Sequence, residues 1–128
     1  MTHISELMHS LNVDFKWNKA RLFCFSNMLL ALFAVRTVNL KEIAVAFDDK
    51  SQIDSRYKRL DRFFAFFKVD YTLIARWMFK IFFNPDQKIY LILDRTNWFW
   101  GKKKINVFML AVAYEGLAIP LFWTLLDN

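Results

Sequence analysis

Glycine and proline are scarce, with 2 of each in 128 residues. Gly101 and Gly116 stand far apart, so the clustered glycines of a P-loop or a dinucleotide fingerprint are missing. Cysteine occurs once, at Cys24, which cannot close an internal disulfide, so nothing points to secretion. One Cys and two His, His3 and His9, cannot supply a four-ligand zinc site. Nothing around Cys24 supports a Cys–His hydrolase. No charged n-region followed by a short apolar stretch and a cleavage site opens the chain, so no signal peptide is expected. A long apolar run is also missing. The most lipid-like segment, Leu22–Val35, has 14 residues and includes Ser26 and Asn27. A membrane span needs about 20 residues, so this segment reads as a buried helix and no membrane partner is expected.

Apolar and aromatic side chains are abundant, at 56% and 19%, with 15 Phe and 5 Trp. Such a chain has the apolar surface to offset ordering entropy and is not disordered. Its length suits one domain, or a small domain plus a piece of another, and buries about two-thirds of its unfolded surface. The net charge is +6, from 18 Lys+Arg and 12 Asp+Glu. That excess favours polyanions such as nucleic acid, and equally serves as solubility charge.

The chain up to residue 84 reads as helical. Trp17–Arg36 is a long helical candidate. Asn39-Leu40-Lys41-Glu42 has capping-box spacing and predicts a short helix through Phe47. Asp48-Asp49-Lys50 is a turn, and Ser51 with Asp54 starts the next helix. There Ile53, Tyr57, Leu60, Phe64 and Phe67 follow steps of 4, 3, 4 and 3, one apolar stripe. Arg56, Arg59 and Arg62 share another face, with Lys58 elsewhere on the helix. Asp70 caps a further helix through Phe82, which Asn84-Pro85-Asp86 stops. His3 and His9 read as surface residues of a poorly ordered N-terminus.

From Lys88 the pattern changes. Lys88–Asp94, Ile105–Tyr114 and Leu117–Leu126 read as three strands, and Glu115-Gly116 as a hairpin turn between the last two. Pro120 cannot donate to a ladder, so the third strand belongs at an edge or a bulge. The composition shift at Asn84–Lys88 is the expected domain boundary, giving residues 1–84 and 85–128.

Asp94 is the residue that stands out. It closes the apolar run Ile89–Leu93, where an ionised carboxylate needs a cation, a donor or water. By position alone it is a turn cap, a partner of Arg95, or a metal ligand held by a rigid strand end. The string Asp94-Arg95-Thr96-Asn97-Trp98, then Gly101-Lys102, Ile105-Asn106, Tyr114, Gly116, Ala118-Ile119-Pro120-Leu121 and Trp123, resembles the first conserved block of bacterial DDE transposases of insertion sequence family four. The resemblance is specific from Lys88 to Asn128. It is weaker over Thr37–Phe83, where the family carries a helical domain with an Arg- and Phe-rich helix like residues 55–64.

The resemblance implies an α+β chain: an N-terminal helical domain, then the first three antiparallel strands of an incomplete ribonuclease H-like α/β domain. It makes Asp94 the first acid of a catalytic triad and a ligand for Mg²⁺. Such triads hold two Mg²⁺ ions for in-line phosphoryl displacement on DNA. The family's second Asp and its Glu lie downstream of the third strand, and neither Glu115 nor Asp127 matches a triad position. The resemblance therefore implies an N-terminal transposase fragment, inactive by itself, in which the first strand lacks one of its two neighbours.

The helix pair around Asp48–Lys50 suggests a helix-turn-helix-like DNA-binding region. Arg56, Lys58, Arg59 and Arg62 are its candidate DNA contacts, against the alternative of a solvated charged face. Lys102, Lys103 and Lys104, after Trp98-Phe99-Trp100, are candidate backbone contacts, against the alternative of a hairpin loop flanked by core aromatics. The expected partners are double-stranded DNA of transposon ends, and a second copy or a full-length transposase, in a bacterial cytoplasm at the nucleoid. The rival reading is a non-catalytic DNA-binding or dimerising module that modulates an intact transposase.

Overall fold

The computed structural model describes residues 2–127. The chain is α+β: five helices precede a three-stranded antiparallel sheet. It forms two compact units, Met1–Val69 and Asp70–Asn128.

The first unit contains α1 (His3–Phe15), α2 (Lys19–Val35), α3 (Leu40–Val45) and α4 (Ile53–Phe66). Thr2 caps α1 by accepting from the Ser5 amide, and Asn18 caps α2 by accepting from the Arg21 amide. Short polar caps of this kind satisfy amides that have no partner inside the helix. Both helices end on a residue in left-handed geometry, Lys16 and Arg36. Asn39 caps α3 as its sequence predicts, accepting from the Lys41 amide. Helix α1 corrects the expectation of a poorly ordered N-terminus: Ile4, Leu11 and Phe15 are buried on one side of it. His3 and His9 do lie on its exposed side.

The core of this unit joins the apolar sides of α1 to α4. Leu60 is fully buried, a contribution of about 1.5–3 kcal/mol. Phe15, Trp17, Phe25, Phe63 and Phe67 form one aromatic cluster, with Phe15 stacked on Trp17 at 4.7 Å. On α4 the buried side is Leu60 and Phe63, whereas Ile53 and Phe64 of the expected stripe are exposed. No helix among the described residues is long and apolar enough to cross a membrane.

The second unit contains α5 (Tyr71–Phe82), β1 (Leu91–Trp100), β2 (Lys103–Tyr114) and β3 (Leu117–Leu126). Asp70 caps α5, accepting from the Thr72 and Leu73 amides. Ala75 and Phe83 bury against Val112, Ile119 and Leu121, flanked by Met78, Phe79, Phe82 and Tyr114. Helix α5 is thus part of the sheet's own core. The division at Val69/Asp70 therefore precedes the composition shift at Asn84–Lys88.

The sheet order is β1-β2-β3, with β1 and β3 at its edges. Glu115 and Gly116 link β2 to β3 with positive φ at both residues, 47° and 79°, the requirement of a tight type I′ hairpin. Leu110 pairs with Phe122 and Ala111 with Pro120, leaving Leu121 as an extra residue on β3. Pro120 therefore sits on an edge strand beside a bulge, the positions in a sheet that tolerate a residue with no donor.

Candidate nucleic-acid interface and the Asp94 strand

The first strand runs from Leu91 to Trp100, not from Lys88 to Asp94. Asp94 is therefore an interior strand residue, paired with Met109, and not a strand end. The polar string after it continues the ladder: Arg95 pairs with Phe108, Thr96 with Val107 and Asn97 with Asn106. The strand persists because β2 offers an unbroken partner as far as Lys103. An apolar count cannot register that pairing.

Asp94 is exposed. One carboxylate oxygen accepts from the Arg95 amide at 2.8 Å, and the other from the Thr96 hydroxyl at 3.3 Å. Alternate residues of a strand share a face, so Asp-x-Thr is the sequence signal for that second contact. An exposed carboxylate with lone pairs left over is chemically suited to Mg²⁺ as one ligand among several. Among the described residues no group of three His, Cys, Asp or Glu stands close enough to hold a metal. Asp94 by itself does not make a two-metal centre, and no metal-dependent step follows from these residues alone.

The four α4 cations fall into two pairs. Arg56 and Arg59 turn inward onto the α3–α4 connection. The Arg56 Nε donates to the Ser51 carbonyl at 2.8 Å. Its Nη1 donates to the carbonyls of Phe47, Val45 and Ala44 at 3.1, 3.3 and 3.4 Å. Its Nη2 donates to the Asp49 carbonyl. Arg59 pairs with the Asp49 carboxylate at 2.6 Å, donates to the Ser51 hydroxyl at 3.3 Å, and lies over the Phe23 ring. The Ser51 amide, then Arg59 and the Ser51 hydroxyl, lower the Asp49 carboxyl to about 2, against some opposition from burial. Lys58 and Arg62 are exposed, four residues apart on one side of α4.

The three lysines do not form a loop. Gly101 and Lys102 make a two-residue turn, and Lys103 and Lys104 open β2 opposite Trp100 and Phe99. Trp98, Phe99 and Trp100 belong to β1, and all three are exposed. A separate groove of about 680 Å³ lies beside α5, lined by Ala75, Arg76, Phe79, Phe83, Leu121 and Phe122 among others, and it does not include Asp94. No family model, curated protein or solved structure matches the chain.

Proposed function

We propose that the chain is the leading portion of a DDE-type transposase resembling insertion sequence family four. Its helical region binds the double-stranded DNA of transposon ends. Its three strands open a ribonuclease H-like core in which Asp94 is the first metal-holding acid. DNA cleavage and strand transfer, with Mg²⁺, belong to the complete set of three acids.

The observation that carries this reading is the Asp94-Arg95-Thr96-Asn97-Trp98 string on an edge strand, with its carboxylate exposed. The antiparallel order β1-β2-β3 is the order such a core requires at its start. On the helical side the two exposed cations of α4, Lys58 and Arg62, are the supporting feature. Arg56 and Arg59 act through the turn they brace and not by touching DNA.

Duplex affinity measured across a salt series tests the DNA contact. Each phosphate contact contributes about 0.9 to the log–log slope. Lys58→Gln with Arg62→Gln is expected to lower the slope by about 1.8. An unchanged slope removes α4 from the interface.

A second reading, a dimerising module that modulates an intact transposase, draws on the exposed edge of β1, where Leu91, Ile92 and Leu93 are all accessible. Edge strands pair readily with other chains. Co-expression with an intact relative separates the two, since inhibition of transposition without DNA binding by this chain favours the second.

A further inference from the structure

The two ends of the β1–β2 hairpin differ in character. At the open end the cross-strand pairs are apolar: Leu91 with Val112, Ile92 with Ala111, Leu93 with Leu110. At the closed end Trp100 faces Lys103, and Phe99 faces Lys104. Directly opposed residues lie on the same face of a sheet. One face therefore carries Trp98 and Trp100 with their partners Ile105 and Lys103, and the other carries Phe99 and Lys104. Trp98, Phe99 and Trp100 are 55, 61 and 71% exposed. The two indoles meet edge to face with centroids 5.8 Å apart, an arrangement that leaves ring surface open to solvent. Between Asp94 and Glu115 the charged residues are Arg95, Lys102, Lys103 and Lys104, all cations.

A surface meant for a protein core would oppose apolar with apolar, as the open end does. Exposed rings with lysines opposite Phe99 and Trp100, and a third lysine in the turn, instead match a polyanion that displays flat π-faces. We propose that the hairpin tip is a platform for single-stranded nucleic acid, with unpaired bases stacking on Trp98 and Trp100 and the phosphates pairing with Lys102 and Lys103. Every base has a π-face, so such a platform binds without reading sequence. A duplex hides those faces in its own stack and forfeits the aromatic contribution. Asp94 and Thr96 occupy the same face of β1, with Asp94 about 13 Å along the strand from Trp98. The platform belongs to the sheet unit and does not rest on the duplex contact proposed for α4.

Anisotropy of a labelled oligothymidylate of about 12 nucleotides, beside a duplex of equal length, tests the proposal on the full chain. Trp98→Ala and Trp100→Ala are each expected to weaken the oligothymidylate about tenfold and to leave duplex affinity unchanged. Trp98→Phe keeps a stacking ring and stays within about threefold of the parent. Lys103→Gln lowers the salt slope for the single strand by about 0.7. Parent-like binding by both alanine variants overturns the proposal. Should those variants lose their sheet signal in circular dichroism, tryptophan quenching takes over as the readout. The parent is quenched by oligothymidylate, and the well-folded Trp98→Phe/Trp100→Phe double variant is not. An unquenched parent overturns the proposal too. Unchanged duplex binding in the Lys58 and Arg62 variants, with oligothymidylate binding still dependent on Trp98 and Trp100, leaves the platform standing and sinks only the α4 contact.

Discussion

Arg56→Ala is expected to destabilise the helical unit, and to affect the proposed DNA contact only through that loss. The guanidinium donates in three directions, from Nε, Nη1 and Nη2, to five carbonyls between Ala44 and Ser51. Hydrogen bonds to a charged group contribute about 1.5–3 kcal/mol each, so the low end summed over three directions is about 4.5 kcal/mol. The Nη1 bonds to Ala44 and Val45 are long, at 3.4 and 3.3 Å, and several of these carbonyls reach water once released. The net expectation is therefore about 3 kcal/mol. For a unit of this size that is a fall in Tm of about 12–24 °C. Arg56→Lys recovers less than half, because one ammonium cannot span carbonyls on both sides of the turn. The assay is urea unfolding followed by far-UV circular dichroism. Arg62→Ala serves as control, with a change within about 0.5 kcal/mol, as for an exposed side chain. An Arg56→Ala variant as stable as the parent, yet with a lower salt slope for DNA, would refute the bracing role.

Three further outcomes follow from single side chains. Asp49 is held at about 2 in the folded state against an ordinary 3.8, so it stabilises the fold above about pH 4. That contribution, about 1–2 kcal/mol after allowance for partial solvent screening, is lost as pH falls toward 2, and the parent-minus-Asp49→Asn difference in urea midpoint should vanish over the same window. Cys24 is 3% exposed and burial pushes its thiol up to about 11, so a thiol reagent at about pH 8 should label it only after unfolding. Fast labelling of the native chain would contradict its burial. The Ser26 hydroxyl is fully buried with no hydrogen-bond partner among the described residues. Ser26→Ala should then stabilise by about 1 kcal/mol in the same urea assay, and a loss would reveal a bond to that hydroxyl.

Features governed by local chemistry were legible in the amino-acid order. Asn39 and Asp70 cap the helices they announce, and the Asp70 helix ends at Phe82. Glu115-Gly116 forms its hairpin, and Pro120 lies on an edge beside a bulge. Features governed by a distant partner were not legible. The spacing of Ile4, Leu11 and Phe15, behind a Thr2 cap, was the available signal for α1, but polar residues interrupt it. The arginine face of α4 looks solvated by period alone. It turns inward because the connection after α3 leaves carbonyls that need donors, and Arg56 is within reach of five. For Asp94, its prominence was readable, but its mid-strand setting depended on how far β2 extends.

The placement of Asp94 complicates the experiment most obviously invited by it. Edge strands escape runaway self-pairing through charges set along them, and the only charged residues on β1 are the neighbours Asp94 and Arg95. Neutralising the carboxylate removes one of these two guards from a strand rich in leucine, isoleucine and tryptophan. An Asp94→Asn preparation will therefore tend to clump, so any loss of binding in such a sample can be assigned to the carboxylate only once sedimentation shows it to be dispersed.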